Sequence, residues 1–190
     1  VVNPGTQYIA GNIEIAVDEE GLNVIPVHFT YVTEVTNSGK KSPTFTVLKR
    51  IIDEDKATVS VGKDEAFKLR VDTALSLNDF YTQDDQLVSA KVNEGGFVSI
   101  VNSLCDEKER NTWEADMVIT GCNIIDADPE KNINEDYMQV KGAIFNFRNE
   151  VLPVDFILRN KDGFKHFENM DASGANPTFT KVWGRINCTT

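Results

Sequence analysis

The chain has 190 residues, which is enough to bury the core of one large domain or of two small ones. Hydrophobic residues make up 41% and charged residues 26% of it, and no apolar run approaches the roughly 20 residues of a membrane helix. The 19 basic and 30 acidic residues give a net charge of −11, which taken as a whole opposes binding to phosphates.

The N-terminal residues and the cysteines predict a cytoplasmic protein. No signal peptide is predicted, because the charged segment and the apolar segment that define one are both missing. The chain begins with Val1 rather than Met, which leaves a processed or shortened N-terminus open. The three cysteines, Cys105, Cys122 and Cys188, form no Cys-x-x-Cys pair. This odd, scattered set argues against a disulfide framework and against a zinc site.

Period-two alternation of apolar residues dominates the chain and predicts a mainly β protein. The predicted strands, in chain order, are YIAGNIEIAV, VIPVHFTYV, FKLRVDTALSL, QLVSAKV, FVSIV, DMVITGCNII, YMQVKGAIFNF, VLPVDFIL and FTKVWGRI. A turn is predicted at residues 94–96. Helices are predicted only over residues 102–117, NSLCDEKERNTWEADM, and in GFKHFENM. Short strands with one or two helical connectors favour antiparallel barrels or a sandwich.

The phrase Pro-Thr-Phe-Thr occurs twice, beginning at Pro43 and at Pro177. Each copy follows a strand with a central proline, Ile25-Pro26-Val27-x-Phe29 in the first case and Leu152-Pro153-Val154-x-Phe156 in the second. The shared order predicts a strand–hairpin–return unit used twice, and hence a duplicated β arrangement. The alternative is chance, since Pro and Thr recur at strand starts for steric reasons.

This repeat predicts an N-terminal β unit over residues 1–60 and a β-barrel domain over residues 61–190, with one compact domain as the alternative. The boundary falls either near residues 53–65 or near residues 126–134. Residues 36–50 hold four basic residues and no acid, and residues 172–190 hold two and no acid. Both copies of the repeated phrase therefore lie in the least acidic parts of an acidic chain.

The late strand is the main candidate for a binding surface. Alternation places four residues on one face: Phe179, Lys181, Trp183 and Arg185. Rings on which bases stack, alternating with cations at a same-face spacing of about 6.5–7 Å, are typical of single-strand binders. Gly184 is expected to let a ligand or another backbone approach closely. The alternative is that the rings belong to the core and the cations reach the rim.

Other residues are candidates to support this surface. On the strand QVKGAIFNF, Lys141, Phe145 and Phe147 share a face, and Arg148 follows. In the first copy of the repeat, the supporting candidates are Lys40, Lys41 and Phe45, where the lysines form a basic hairpin tip. Phe80 and Tyr81 end a strand and offer further rings. The alternatives are a core role for the phenylalanines and simple solvation for the lysines.

Catalytic and metal sites are not predicted. The two histidines, His28 and His166, form no nucleophile pattern with Ser or Cys, and no phosphate-binding glycine loop occurs. The acidic segment DADPEKNINED lacks the central glycine and the terminal glutamate of a calcium loop, so a solvated loop is favoured. We therefore expect no enzyme activity, no cofactor and no metal.

Four phrases together resemble single-stranded DNA-binding proteins of the OB type found in bacteriophages and mobile elements: KLRVDTALSLNDFYTQDDQLVSAKV, YMQVKGAIFNF, LPVDFIL and NPTFTKVWGRI. The resemblance spans roughly residues 65–187 and implies OB-like antiparallel barrels. It also implies sequence-tolerant binding of single-stranded DNA in phage or plasmid replication or recombination, in the host cytoplasm. Partners would then include replication or recombination proteins and a second copy of the chain. Binding to a membrane is not expected.

The chain departs from this family pattern in two ways. The sequence shows no acidic C-terminal tail of the kind by which that family often recruits partners, and removal of such a tail is left open. Its first 60 residues have no obvious place in one OB barrel, unless they build a second, related barrel. The main alternative function is a β-rich virion or tail component, or another protein-interaction module, in which the aromatic strand is buried against a partner. A carbohydrate- or ligand-binding barrel with Trp183 as its platform is the third.

Overall fold

The computed structural model describes residues 5–146, 149–170 and 172–187. Within these residues the chain is mainly β, as the alternation predicts, and its eight strands form two four-stranded sheets. Two compact units form: unit 1 consists of Val1–Asn111 and Ile186–Thr190, and unit 2 is Thr112–Arg185. The chain thus passes from unit 1 to unit 2 after residue 111 and returns to unit 1 at residue 186. No helix in the described ranges is both long and apolar enough to cross a membrane.

Unit 1 is a four-stranded sheet covered by one helix. Its elements are β1 (Tyr8–Ala16), β2 (Val24–Thr33), α1 (Pro43–Glu54), the short α2 (Thr58–Val61), β3 (Lys68–Tyr81) and β4 (Leu87–Val101). The strand order is β1-β2-β4-β3. The pairs β1–β2 and β3–β4 are antiparallel, whereas β2 and β4 are parallel. The core joins the sheet to α1 through Val27, Phe29, Leu48 and Val98.

The first Pro-Thr-Phe-Thr phrase begins a helix, so the predicted β return at this point is wrong. Ser42 is the N-cap, and its hydroxyl accepts a hydrogen bond from the backbone N–H of Phe45 at 3.2 Å. Pro43 follows at the first helical position, where its missing N–H costs nothing. Phe45 and Leu48, three residues apart, then enter the core, and Phe45 is 4% exposed. A ring buried in this way offers no face to a base.

The predicted turn at residues 94–96 is also wrong, because β4 continues through it. Gly95 serves packing here instead of a turn. A Cβ at this position would lie 2.4 Å from the Phe29 ring, so the glycine makes room for that ring against β4.

Unit 2 is a second four-stranded sheet with one helix. Its elements are β5 (Thr112–Ile125), β6 (Tyr137–Phe145), β7 (Val151–Leu158), α3 (Lys161–Glu168) and β8 (Thr178–Arg185). The strand order is β7-β6-β5-β8, with every pair antiparallel. Helix α3 confirms the helix predicted in GFKHFENM, and Phe164 places it on the core.

The helix predicted over residues 102–117 is wrong. Only a 3₁₀ turn at Glu107–Glu109 lies there, and β5 begins at Thr112. The period-two series Trp113, Ala115, Met117 and Ile119 explains the difference, because all four side chains belong to the core of unit 2. A cap and several good helix formers were outweighed by burial of this alternating face.

The duplicated arrangement is present in part. The two proline-containing phrases lie on β2 and β7, each the second strand of a hairpin that a helix follows. The two Pro-Thr-Phe-Thr phrases are not equivalent, since the first begins α1 and the second leads into β8. The repeated element is therefore the hairpin with its helix.

Candidate nucleic-acid interface

The sheet of unit 2 has one face covered by the core and one open face. The residues on the covered face include Met117, Ile119, Met138, Val140 and Val182, all buried together with Phe164 of α3. Side chains alternate along each strand, so their neighbours point the other way. The residues between them define the open face, which the following paragraphs describe.

Strand register assembles the open face in rows across the sheet. One row runs from Phe179 through Val118 and Ala143 to Pro153 and is entirely apolar. Beside it, Phe145 lies opposite Val151, and both are exposed. The rows on either side carry charges: Lys181 lies opposite Asp116, and Lys141 lies opposite Asp155. The open face is thus an apolar stripe with a charged margin.

Three aromatic rings of the open face are accessible. Trp183 is 78% exposed, Phe179 66% and Phe145 54%. The prediction that Phe179, Lys181 and Trp183 share a solvent face is confirmed, as is burial of Val182 on the opposite face. These rings therefore have free surface on which planar ligands can stack.

Gly184 explains why the two tryptophans occupy opposite faces. Trp113 lies opposite Gly184 in the register, and its indole packs over the glycine on the covered side. A Cβ at residue 184 would lie 2.8 Å from the Trp113 Nε1. The close approach expected at Gly184 is therefore made by this indole.

Carboxylates occupy the same face as the cations. Lys181 Nζ lies 2.7 Å from Glu114 Oε1 and donates a hydrogen bond to it. This hydrogen bond, and then the charges of Glu114 and Asp116, raise the pKa of Lys181 above its ordinary value. The rings and the cation between them do share one face, and the ammonium group of Lys181 is already paired with a carboxylate.

The other two cations of this face also have acidic or polar neighbours. Lys141 lies opposite Asp155, which accepts a hydrogen bond from Gln139 Nε2 at 3.0 Å. Arg185 ends β8, is exposed, and lies opposite Thr112. Three cations are thus matched by Glu114, Asp116 and Asp155, so the open face is close to neutral and not basic.

The remaining sequence candidates belong elsewhere. Lys40 and Lys41 lie in unit 1, where the Lys40 carbonyl accepts a hydrogen bond from the Thr36 N–H at 2.8 Å in an exposed turn. Phe45 is in the core of unit 1, as described above. Arg148 and Phe147 lie outside the described residues. The open face of unit 2 thus gathers Phe179, Lys181, Trp183, Arg185, Lys141 and Phe145.

Two features of this face were missed from sequence. Glu114 was assigned to a helix, and Asp116 was assigned both to that helix and to the first position of the strand DMVITGCNII. This hid the fact that both carboxylates alternate with core residues on one strand. The strict series Trp113-x-Ala115-x-Met117 was the signal that could have placed both carboxylates beside the late strand.

Phe80 and Tyr81 do end a long strand, as the sequence indicates. They lie in unit 1 near the tip of the β3–β4 hairpin, opposite Val88 and Leu87. All four side chains are exposed, and Asp79, Asp84 and Asp85 lie close by in the sequence. This acidic tip does not resemble a phosphate-binding surface.

In the described part of the chain, no three His, Cys, Asp or Glu side chains are grouped in a way that could hold a metal ion. Cys122 lies on the covered face, where burial raises the pKa of its thiol and so disfavours the reactive thiolate. The chemistry that the open face offers is therefore stacking, apolar contact and ion pairing.

A family model described as YorF matches residues 2–190 of the chain. No curated protein matches the chain, and no solved structure matches it either. The match covers both units, including all of the open face.

Proposed function

For this chain, which belongs to the YorF family, we propose sequence-tolerant binding of single-stranded DNA on the open face of unit 2. The observation that carries the proposal is the group of three exposed rings, Phe145, Phe179 and Trp183, on one face of a sheet whose other face is core. Contiguous exposed apolar surface marks an interaction site, and bases are partners that every ring can stack on.

The strand orders support an OB-like fold for both units. In an OB barrel three antiparallel strands are followed by a helix and two more strands. The first strand pairs with the second and the fourth, and the third pairs in parallel with the fifth. In unit 2, β5, β6, β7, α3 and β8 follow this plan from the first strand to the fourth.

Unit 1 supplies the complementary part of the same plan. Its strands β1, β2, β3 and β4, with α1 after β2, match the second to the fifth strand of the barrel. The parallel pair β2–β4 is the diagnostic one, because it joins the third strand to the fifth. In this proposal each unit corresponds to four of the five strands of an OB fold. The face that binds oligonucleotides in that fold, on its second and third strands, then corresponds to β6 and β7 of unit 2.

Binding on the open face would combine stacking with weak phosphate contacts. Phe179 and Trp183 lie four residues apart on one strand face, about 13–14 Å along the strand, with Lys181 between them. Each stacked base contributes about 1–3 kcal/mol. Lys181 contacts a phosphate only by competing with Glu114, and the described carboxylates of the open face equal its described cations in number. Affinity should therefore come mainly from stacking and should depend weakly on salt.

In this proposal the protein acts without catalysis and without a cofactor. It covers single-stranded DNA during phage or plasmid replication or recombination in the host cytoplasm, beside the proteins that carry out those reactions. A second copy on the same strand would be a natural neighbour, because single-strand binders commonly bind cooperatively.

Tryptophan fluorescence tests the proposal directly. Titration with oligo-dT should quench the emission of Trp183, because a base stacked on the indole deactivates it, whereas Trp113 is packed in the core. Trp183→Ala should abolish the quenching and weaken binding by about 1–3 kcal/mol, measured separately by fluorescence anisotropy of labelled DNA. Tyr81→Ala, which removes an exposed ring from unit 1, is the matched control and should bind normally.

The near-neutral open face favours a second candidate function, a protein-interaction module of β type. Apolar surface with paired charges at its margin is typical of a face that another protein covers. In that case oligo-dT causes no quenching even at low salt, and the chain sediments as an oligomer or complex that Trp183→Ala disrupts. That pair of results would replace the DNA proposal.

A further inference from the structure

Two carboxylates of the open face contribute no attraction to the binding proposed above. Glu114 and Asp116 are exposed on β5, between the aromatic residues of β8 and those of β6. Glu114 lies opposite Trp183 in the register, and Asp116 lies opposite Lys181. A surface that served only to attract DNA would place no anion at these positions.

We infer that Glu114 and Asp116 make the open face select single-stranded over duplex DNA, an inference that rests on the proposed function. The two side chains act on the ligand through charge. Glu114 occupies the Lys181 ammonium at 2.7 Å, so a phosphate reaches this cation only by displacing a carboxylate. Asp116 adds a second negative charge beside the same cation.

Duplex DNA is penalised more strongly than a single strand by this arrangement. The duplex carries about one negative charge per 1.7 Å of its axis and is stiff, so it cannot hold its phosphates away from the two carboxylates. Its bases are already stacked on one another, so the exposed rings of the protein gain little from it. For the duplex, stacking on the rings therefore does not offset the repulsion between its phosphates and the two carboxylates.

A single strand avoids much of the same repulsion. Its backbone is flexible, its charge density is lower, and its bases are free to stack on Phe179 and Trp183. Stacking then offsets the remaining cost. Selectivity in this account comes from rejecting the wrong ligand, which is a common way to separate two ligands that share one chemical group.

The test uses the full chain with Glu114→Gln and Asp116→Asn together, which keep the shape and remove both charges. Binding of oligo-dT and of a duplex of equal length is measured by anisotropy. The affinity for oligo-dT should rise by about two- to fivefold, as expected for exposed charges, and the affinity for the duplex by about tenfold or more. The salt dependence should steepen for both ligands.

Two further variants separate this effect from simpler ones. Glu19→Gln with Glu20→Gln removes two exposed charges from the β1–β2 loop of unit 1 and should leave the preference unchanged. In a Lys181→Met background, Glu114→Gln alone should increase the affinity for DNA less than it does in the native chain, because the two residues act as a pair.

The outcomes distinguish this inference from the proposed function. Oligo-dT that binds the native chain, combined with equal gains for duplex and single strand in the double variant, overturns the role of the carboxylates alone. A native chain and a double variant that both fail to bind oligo-dT overturn the proposed function and this inference with it. A circular dichroism spectrum and melting temperature like those of the native chain establish that each variant is folded.

Discussion

Trp113 and Trp183 show how the pairing register of β5 and β8 determines which of two tryptophans is buried and which is exposed. They come from adjacent strands and from neighbouring rows, yet one packs in the core and the other is 78% exposed. Gly184 provides the space for the first, and the alternation of β8 turns the second to solvent. Gly184 therefore serves the packing of Trp113 in the core, and strand alternation exposes Trp183.

Gly184→Ala should destabilise the protein by about 1–3 kcal/mol, because the added methyl group meets the Trp113 indole and the core must shift. Urea unfolding measures the change in free energy. Gly121→Ala is the matched control, since a Cβ on that β5 glycine meets nothing within 4 Å. Equal stability of the 184 variant and the native protein would show that the indole does not need the glycine.

The residue scale also shows what sequence can predict of a binding site. The exposed set Phe179, Lys181 and Trp183 follows from alternation within one strand, which needs no tertiary information. The partner of Lys181 does not, because Glu114 lies 67 residues away and meets it only through strand pairing. Local pattern predicts which side chains point outward, and long-range register decides what they meet.

At the scale of elements, helix α3 is joined to the loop before β6 by one carboxylate. Asp136 accepts hydrogen bonds from Lys161 Nζ at 2.9 Å and from the Ala127 N–H at 3.0 Å. These contacts, with Lys161 first, hold the pKa of Asp136 below its ordinary value of 3.8. The first residue of α3 is thereby tied to the start of β6.

Lys161→Met should raise the pKa of Asp136 towards 3.8. An NMR titration of the Asp136 carboxyl carbon measures this change. A carboxyl with a lowered pKa in the folded state stabilises the fold above its unfolded pKa. That contribution is lost as pH falls through the lower, folded value. Lys131→Met removes a cation paired with Asp128 instead and should leave Asp136 unchanged. An unaltered Asp136 titration in Lys161→Met would rule out this link.

Helices and strands were predictable where the apolar residues followed a single helical or strand periodicity without interruption. The hairpins β1–β2 and β6–β7 and the helix α3 follow from alternation or from a capped apolar stripe. The prediction for Ser42-Pro43-Thr44-Phe45 was wrong. It followed from the repeated sequence, whereas the N-cap serine and the proline at the first helical position indicate the start of a helix. The same four letters after Pro177 lead into a strand, since alternation continues there to Arg185.

At the scale of the whole molecule, the chain builds two units in which a β hairpin, a helix and a further strand follow one another. Unit 2 interrupts unit 1 between residues 111 and 186. Sequence predicts the β class and the repeated hairpin, whereas it does not predict this nesting. The first boundary falls inside the predicted helix over residues 102–117, and the second falls inside the predicted strand FTKVWGRI. The division depends on which strands pair, and pairing is a long-range property.

NMR of the two indole N–H signals tests the central claim most directly, because the protein has only two tryptophans. Addition of oligo-dT should shift the Trp183 signal in a saturable way and leave the Trp113 signal in place, since only the first ring is open to a base. Each signal is assigned by its disappearance from the spectrum of Trp183→Phe or of Trp113→Phe. An unmoved Trp183 signal at saturating oligo-dT and low salt would contradict single-stranded DNA binding on the open face.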